Sequence, residues 1–157
     1  MSKSLPTSGQ LERNLSQGIL RIYRQELKHT PSKVTCQLFE NKLAIIVENA
    51  LTAVEQTLAA AGNNDNIVKR LSTTINDVIE IKIKDLIESI LTVKVKDILF
   101  DSTVKTNCAG AIATLEHTPL VRNPESIPKN KKAVKKKSAH PVENASSETS
   151  SKDSKIQ

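Results

Sequence analysis

A chain of 157 residues with 38% apolar side chains carries enough hydrophobic material for one domain, and its formal charge of +6 is unevenly spread. Residues 1–123 hold 15 Lys and Arg against 13 Asp and Glu, net +2, whereas residues 124–157 hold 8 Lys against 4 acids, net +4. That imbalance argues against a folded DNA-binding domain, which would place its basic charge on the packed part.

Thr7 and Gln10 have capping-box spacing, and Leu11, Leu15, Ile19, Ile22 and Glu26 follow at three and four residues, so a helix is expected from about Ser8 to Lys28. Pro31 stops it. Val34, Cys36 and Leu38 then alternate as in a strand, and Glu40, Asn41 and Lys42 form the only polar run before Leu43 to Val47, with Asn41 the residue suited to a left-handed turn position. The second strand is apolar on both faces, which predicts that it is either central or covered on both sides.

Thr52 and Glu55 repeat the capping-box spacing and open a short helix ending at Gly62, with Asn63, Asn64 and Asp65 as the turn. From about Asp65 to Leu91, Val68, Leu71, Ile75, Val78, Ile79, Lys82, Leu86 and Ile90 keep helical spacing over roughly 40 Å, longer than a small sheet needs for cover. Asp77, Glu80, Asp85 and Glu88 interleave there with Lys82 and Lys84 as solvated ion pairs. A third strand is expected over Val93 to Phe100 with an irregularity near Asp97, a turn over Ser102 to Asn107, and a fourth strand over Cys108 to Leu115, where Gly110 permits a bulge or a close backbone approach. The resulting class is α+β: N-terminal helix, hairpin, two helices, second hairpin, forming a four-stranded mainly antiparallel sheet with helices on at least one face.

The domain is therefore set at residues 8–123. From Pro124 the chain has three of its six prolines, seven serines, no glycine and no aromatic residue, and residues 124–157 are expected to be a disordered tail. Lys131, Lys132, Lys135, Lys136 and Lys137, with Lys129, make a cationic cluster suited to nonspecific contact with nucleic acid or anionic lipid. Arg21, Arg24 and Lys28, then Lys33 beyond the Pro31 loop, form a second basic group within the domain, a candidate anion or partner contact together with Tyr23.

Candidates for chemistry are sparse. His29, His117 and His140 have no neighbour at metal-ligand spacing, and His29 meets His117 only if the first loop lies near the end of the fourth strand. No glycine-rich phosphate loop occurs. Cys36 and Cys108 are expected to face inward as reduced structural thiols, which suits a cytoplasmic setting. The N-terminus has no apolar run after Lys3, so no secretory signal is expected, and no apolar stretch nears the roughly 20 residues of a bilayer span. No catalytic residue, metal or cofactor is expected, and the protein is read as a non-enzyme.

Gly9-Gln10-Leu11-Glu12-Arg13, Tyr23-Arg24, Pro31-Ser32-Lys33-Val34, Leu51-Thr52-Ala53-Val54-Glu55 and Thr118-Pro119-Leu120-Val121-Arg122-Asn123-Pro124 resemble the MpsC-type family, small domains associated with a Na+-translocating, membrane-potential-generating system. The Val-Arg-Asn-Pro ending is most similar to stand-alone cyanobacterial members. The resemblance covers about Gly9 to Pro124; Lys-His-Thr stands before Pro31 where many relatives carry glycine, and the lysine-rich tail lies outside the family domain. It implies a cytoplasmic, non-catalytic accessory protein, peripheral to the inner face of a membrane, whose partner is a subunit for ion or inorganic-carbon transport. The long helix and the doubly apolar second strand add an expectation of self-association. The rival reading is a nucleic-acid-associated protein that binds through its basic tail.

Overall fold

The structure, a computed structural model, describes residues 3–62 and 65–129. Helix α1 (Ser8–Leu27) starts on the expected box: Thr7 accepts from the Gln10 amide while the Gln10 side chain accepts from the Thr7 amide. It ends at Lys28, whose φ of 50° gives a left-handed cap. The hairpin β1 (Lys33–Phe39) and β2 (Lys42–Glu48) turns over two residues, and Glu40 rather than Asn41 takes the positive φ, also 50°. The second box also forms at Thr52 and Glu55, opening α2 (Ala53–Ala60). Residues 63 and 64 lie outside the described residues, so the Asn63–Asn64 turn does too. Helix α3 spans Asp65–Leu91, and β3 (Val95–Thr103) and β4 (Cys108–Leu115) complete the second hairpin.

The strand order is β1-β2-β4-β3, antiparallel throughout, so β2 is central as its composition predicts. The irregularity near Asp97 is a register shift between Val95 and Asp97. At Gly110 the close-approach reading holds: a Cβ there would sit 3.3 Å from the Ile45 carbonyl oxygen.

One face of the sheet carries α1, against β1, and α3, against β3. Cys36, Leu38, Leu43, Ile45 and Val47 meet Leu11, Leu15, Ile19, Ile79, Ile83 and Ile87 in one buried cluster. Three alanines of β4, at 109, 111 and 113, line the same face and leave room for the bulky isoleucines above. The helices themselves cross closely at Gly18, where a Cβ would meet the Leu86 methyls at 2.7 and 2.9 Å. Small residues at a crossing let two helices approach without displacing their larger neighbours.

The other face is open. Ile46, Leu99 and Ile112 are 52%, 68% and 43% exposed, so of the two alternatives for β2 it is the central position, not cover on both sides, that holds. Period-two alternation puts Cys108 on this open face, half-buried, and Cys36 on the covered one; the inward reading of Cys108 is wrong, and both thiols are free.

Both edges of the sheet are blunted. On β1, the Leu38 amide donates to Glu12 Oε1 at 2.9 Å. On β3, the Ile98 and Ser102 amides donate to the carboxylates immediately before them, Asp97 and Asp101, at 2.9 and 2.8 Å. Unpaired edge amides invite strand addition, and charged side chains set on them discourage it.

Packing continues past Asn123, the expected boundary. A 3-10 turn at Pro124–Ser126 carries Ile127 into the core, 3% exposed, and the Glu40 amide donates to the Pro128 carbonyl. The N-terminus of α1 is joined to this segment: the Ser8 amide donates to Asn123 Oδ1, and the Ser8 and Ser126 hydroxyls lie 2.6 Å apart. One buried isoleucine in a polar stretch is a weak sequence signal, and it is enough to hold six more residues.

Candidate functional site

Helix α1 turns two different faces to its surroundings. Leu11, Leu15, Gly18, Ile19 and Tyr23 are buried. At 100° per residue, Gln10, Arg13, Gln17, Arg21, Arg24 and Lys28 fall together on the opposite side, and all are exposed. The stripe runs about 27 Å at 1.5 Å per residue.

Its charge is all of one sign because both acids of α1 point elsewhere and are engaged. Besides capping Leu38, Glu12 Oε1 accepts from the Gln37 amide side chain at 3.0 Å. Glu26 pairs with Lys82 of α3 at 3.6 Å. With the carboxylates drawn toward the sheet edge and α3, Arg13, Arg21, Arg24 and Lys28 have no ion-pair partner among the described residues. Arginine presents a planar fork that suits carboxylate, so such a row favours an acidic surface.

The structure divides the basic group read from sequence. Arg21, Arg24 and Lys28 share the stripe, whereas Lys33 sits at an exposed register position of β1 opposite Glu48, on the face of the sheet away from α1. Tyr23 is 3% exposed and belongs to the core, where burial first, then the Glu55 carboxylate, pushes its hydroxyl well above the usual tyrosine range. Arg13 joins the stripe instead; its spacing of eight residues from Arg21 was the available signal. Lys131, Lys132, Lys135, Lys136 and Lys137 lie outside the described residues.

Little supports chemistry. His29 bonds through Nε2 to the Asn49 carbonyl beyond the end of β2, and His117 follows β4, which runs antiparallel to β2, so the two histidines lie at opposite ends of the sheet. No group of three or more His, Cys, Asp or Glu that could hold a metal ion occurs among the described residues. The Cys36 thiol is pushed up to about 11, chiefly by burial, and is a poor nucleophile at neutral pH. Glu55, 2% exposed, spends its oxygens on the Thr52 amide and hydroxyl and the Ser72 hydroxyl, tying α2 to α3. A hollow of about 660 Å³ lies between the β1–β2 turn and the 117–129 segment, walled by Pro119, Leu120, Val121 and Ile127 with His117 at its margin. It brings no base to a nucleophile.

Two α3 side chains make ion pairs that leave the helix, Lys82 with Glu26 and Glu88 with Lys94, while Lys84, one turn before Glu88, adds attraction within it. Among the described residues, no helix is long and apolar enough to cross a membrane.

A family model described as "Na+-translocating membrane potential-generating system (MpsC)" matches residues 7–117. Comparison with curated proteins and with solved structures returns no match.

Proposed function

Since the chain belongs to the MpsC family, tied by its description to a Na+-translocating membrane potential-generating system, we propose that it is a non-enzymatic accessory module that docks on an acidic protein surface of a membrane ion-transport assembly. The observation that carries this reading is the α1 stripe: four cations on one exposed helix face whose own acids are occupied elsewhere. Like charges along one face cost some stability unless a partner neutralises them. Docking supplies that neutralisation, and the affinity should fall with salt because exposed charges are screened beyond about 10 Å at 0.1 M.

Affinity purification from membrane and soluble fractions tests it, using the full chain, an Arg21→Glu/Arg24→Glu variant and a chain ending at residue 129. The truncation keeps Ile127, which a cut at Pro124 would remove from the core. The expected result is a partner kept by the truncated chain and weakened at least about tenfold by the charge reversal, with unchanged far-UV circular dichroism. Unaltered binding by the reversed variant would overturn the reading. Loss of all binding on truncation would favour the rival, a nucleic-acid contact through the basic segment.

A further inference from the structure

The uncovered face of the sheet has a pattern as well as a composition. Across the β2–β4 ladder, Ile46 stands opposite Gly110 and Ala44 opposite Ile112. Large and small residues therefore alternate at the corners of a square in the middle of the face, with Leu99 of β3 beside Ile112. A hollow of about 530 Å³ is lined by these same residues. Charge is also asymmetric: Lys33 and Lys42, with Glu48 opposite Lys33, flank the square from β1 and β2, whereas Asp97 and Asp101 flank it from β3.

We infer that this face is the contact between two copies of the chain, packed sheet on sheet about a two-fold axis that runs along the strands between β2 and β4. That operation sets Ile46 over the partner's Gly110 and Ile112 over the partner's Ala44, so each knob meets a hole. It also brings the β1–β2 flank of one copy, two lysines against the single Glu48, over the aspartate flank of the other. Sheets stacked this way keep their strands within about 30° of one another and about 10 Å apart.

Two other occupants fit less well. Strand addition is opposed at both edges by Glu12, Asp97 and Asp101. Residues 130–157 are dominated by Lys and Ser, and their apolar residues are scattered singly apart from Ala133-Val134, so they offer no apolar face to lay on the square. Four strands at about 4.8 Å and a length near 20 Å give on the order of 400 Å² in plan per copy, below the roughly 800 Å² per partner of a standard interface. The dimer is therefore weak and concentration-dependent.

Sedimentation equilibrium on the full chain, from low micromolar to several hundred micromolar, should show the mass rising from 17.2 kDa toward twice that value. Ile112→Asp, and separately Ile46→Asp, should hold it at the monomer value with unchanged circular dichroism, since both side chains are exposed in one copy. The axis has its own test. It leaves the two copies of Cys108 about one strand spacing apart laterally across the gap, so a short bis-maleimide should link them in the wild type and not in Cys108→Ser. Cys36, buried on the other face, should stay unmodified.

A mass of 17.2 kDa at every concentration would overturn the proposal. So would a dimer that survives both aspartate variants, or a dimer that Cys108 does not link. A monomer that loses a bound foreign protein on Ile112→Asp assigns the face to that protein and overturns it equally. Arg21→Glu/Arg24→Glu leaves this face intact, so failure of the docking reading and failure of the dimer are separately visible.

Discussion

Ile45 and Ile46 are adjacent in β2 and chemically identical, yet Ile45 is 1% exposed and Ile46 52%. The backbone treats them alike: each lies within both ladders of the central strand. They differ in what stands above them, α1 and α3 over one face and nothing among the described residues over the other. Burial is thus a property of the pair of surfaces rather than of the strand, and an apolar strand face states a need for cover without saying which molecule supplies it.

The sharpest way to break that comparison is to truncate both neighbours. Ile45→Ala should cost about 3 kcal/mol, combining lost transfer energy with a cavity, measured by urea denaturation. Ile46→Ala should cost under about 1 kcal/mol in the monomer while weakening self-association; equal costs would show that the two faces are equally covered. Gly18→Ile should lie between these values, about 2 kcal/mol from overpacking, because its side chain must push past the Leu86 methyls and lift α1 from α3. A stable Gly18→Ile variant would mean that the covering layer is loosely fitted.

The smallest effect concerns how the end of α3 is tied to β3. Glu88 accepts from the Val95 amide and pairs with Lys94, and the amide bond chiefly, then Lys94, holds its carboxyl below the usual range. Because the folded state favours the ionised form, its contribution is complete above the ordinary glutamate pKa and is lost as pH falls through the depressed one. Glu88→Gln should be less stable than wild type at neutral pH, with the gap closing in acid, by thermal denaturation across pH. A gap that persists once the carboxyl is fully protonated in acid would assign the effect to shape rather than charge.

Local rules made much of the fold legible. Both capping boxes form where their spacing places them, and β4 occupies Cys108–Leu115 as read. These features depend on residues three or four apart, or on simple alternation. What was not legible depends on tertiary layering. The alternation of β4 fixes that Cys108 shares a face with Ile112, but not which face α3 covers. Lys33 follows Lys28 closely in sequence, yet strand direction carries it to the far side of the sheet. Arg13 was readable from helical angle alone. The engagement of Glu12 and Glu26, which leaves the stripe purely cationic, needed the positions of β1 and α3.

The carboxylates on the outer amides of β1 and β3 bear on how many neighbours a molecule can acquire. An exposed strand edge has unlimited valence in a chain of identical molecules, because every copy that adds presents a fresh edge to the next. With Glu12 on one side and Asp97 and Asp101 on the other, growth in that direction has no first step. The sheet face is consumed when two copies meet across it, so its valence is one. Mutating Glu12, Asp97 and Asp101 together to alanine would therefore free both edges and admit ribbons in place of the proposed pair.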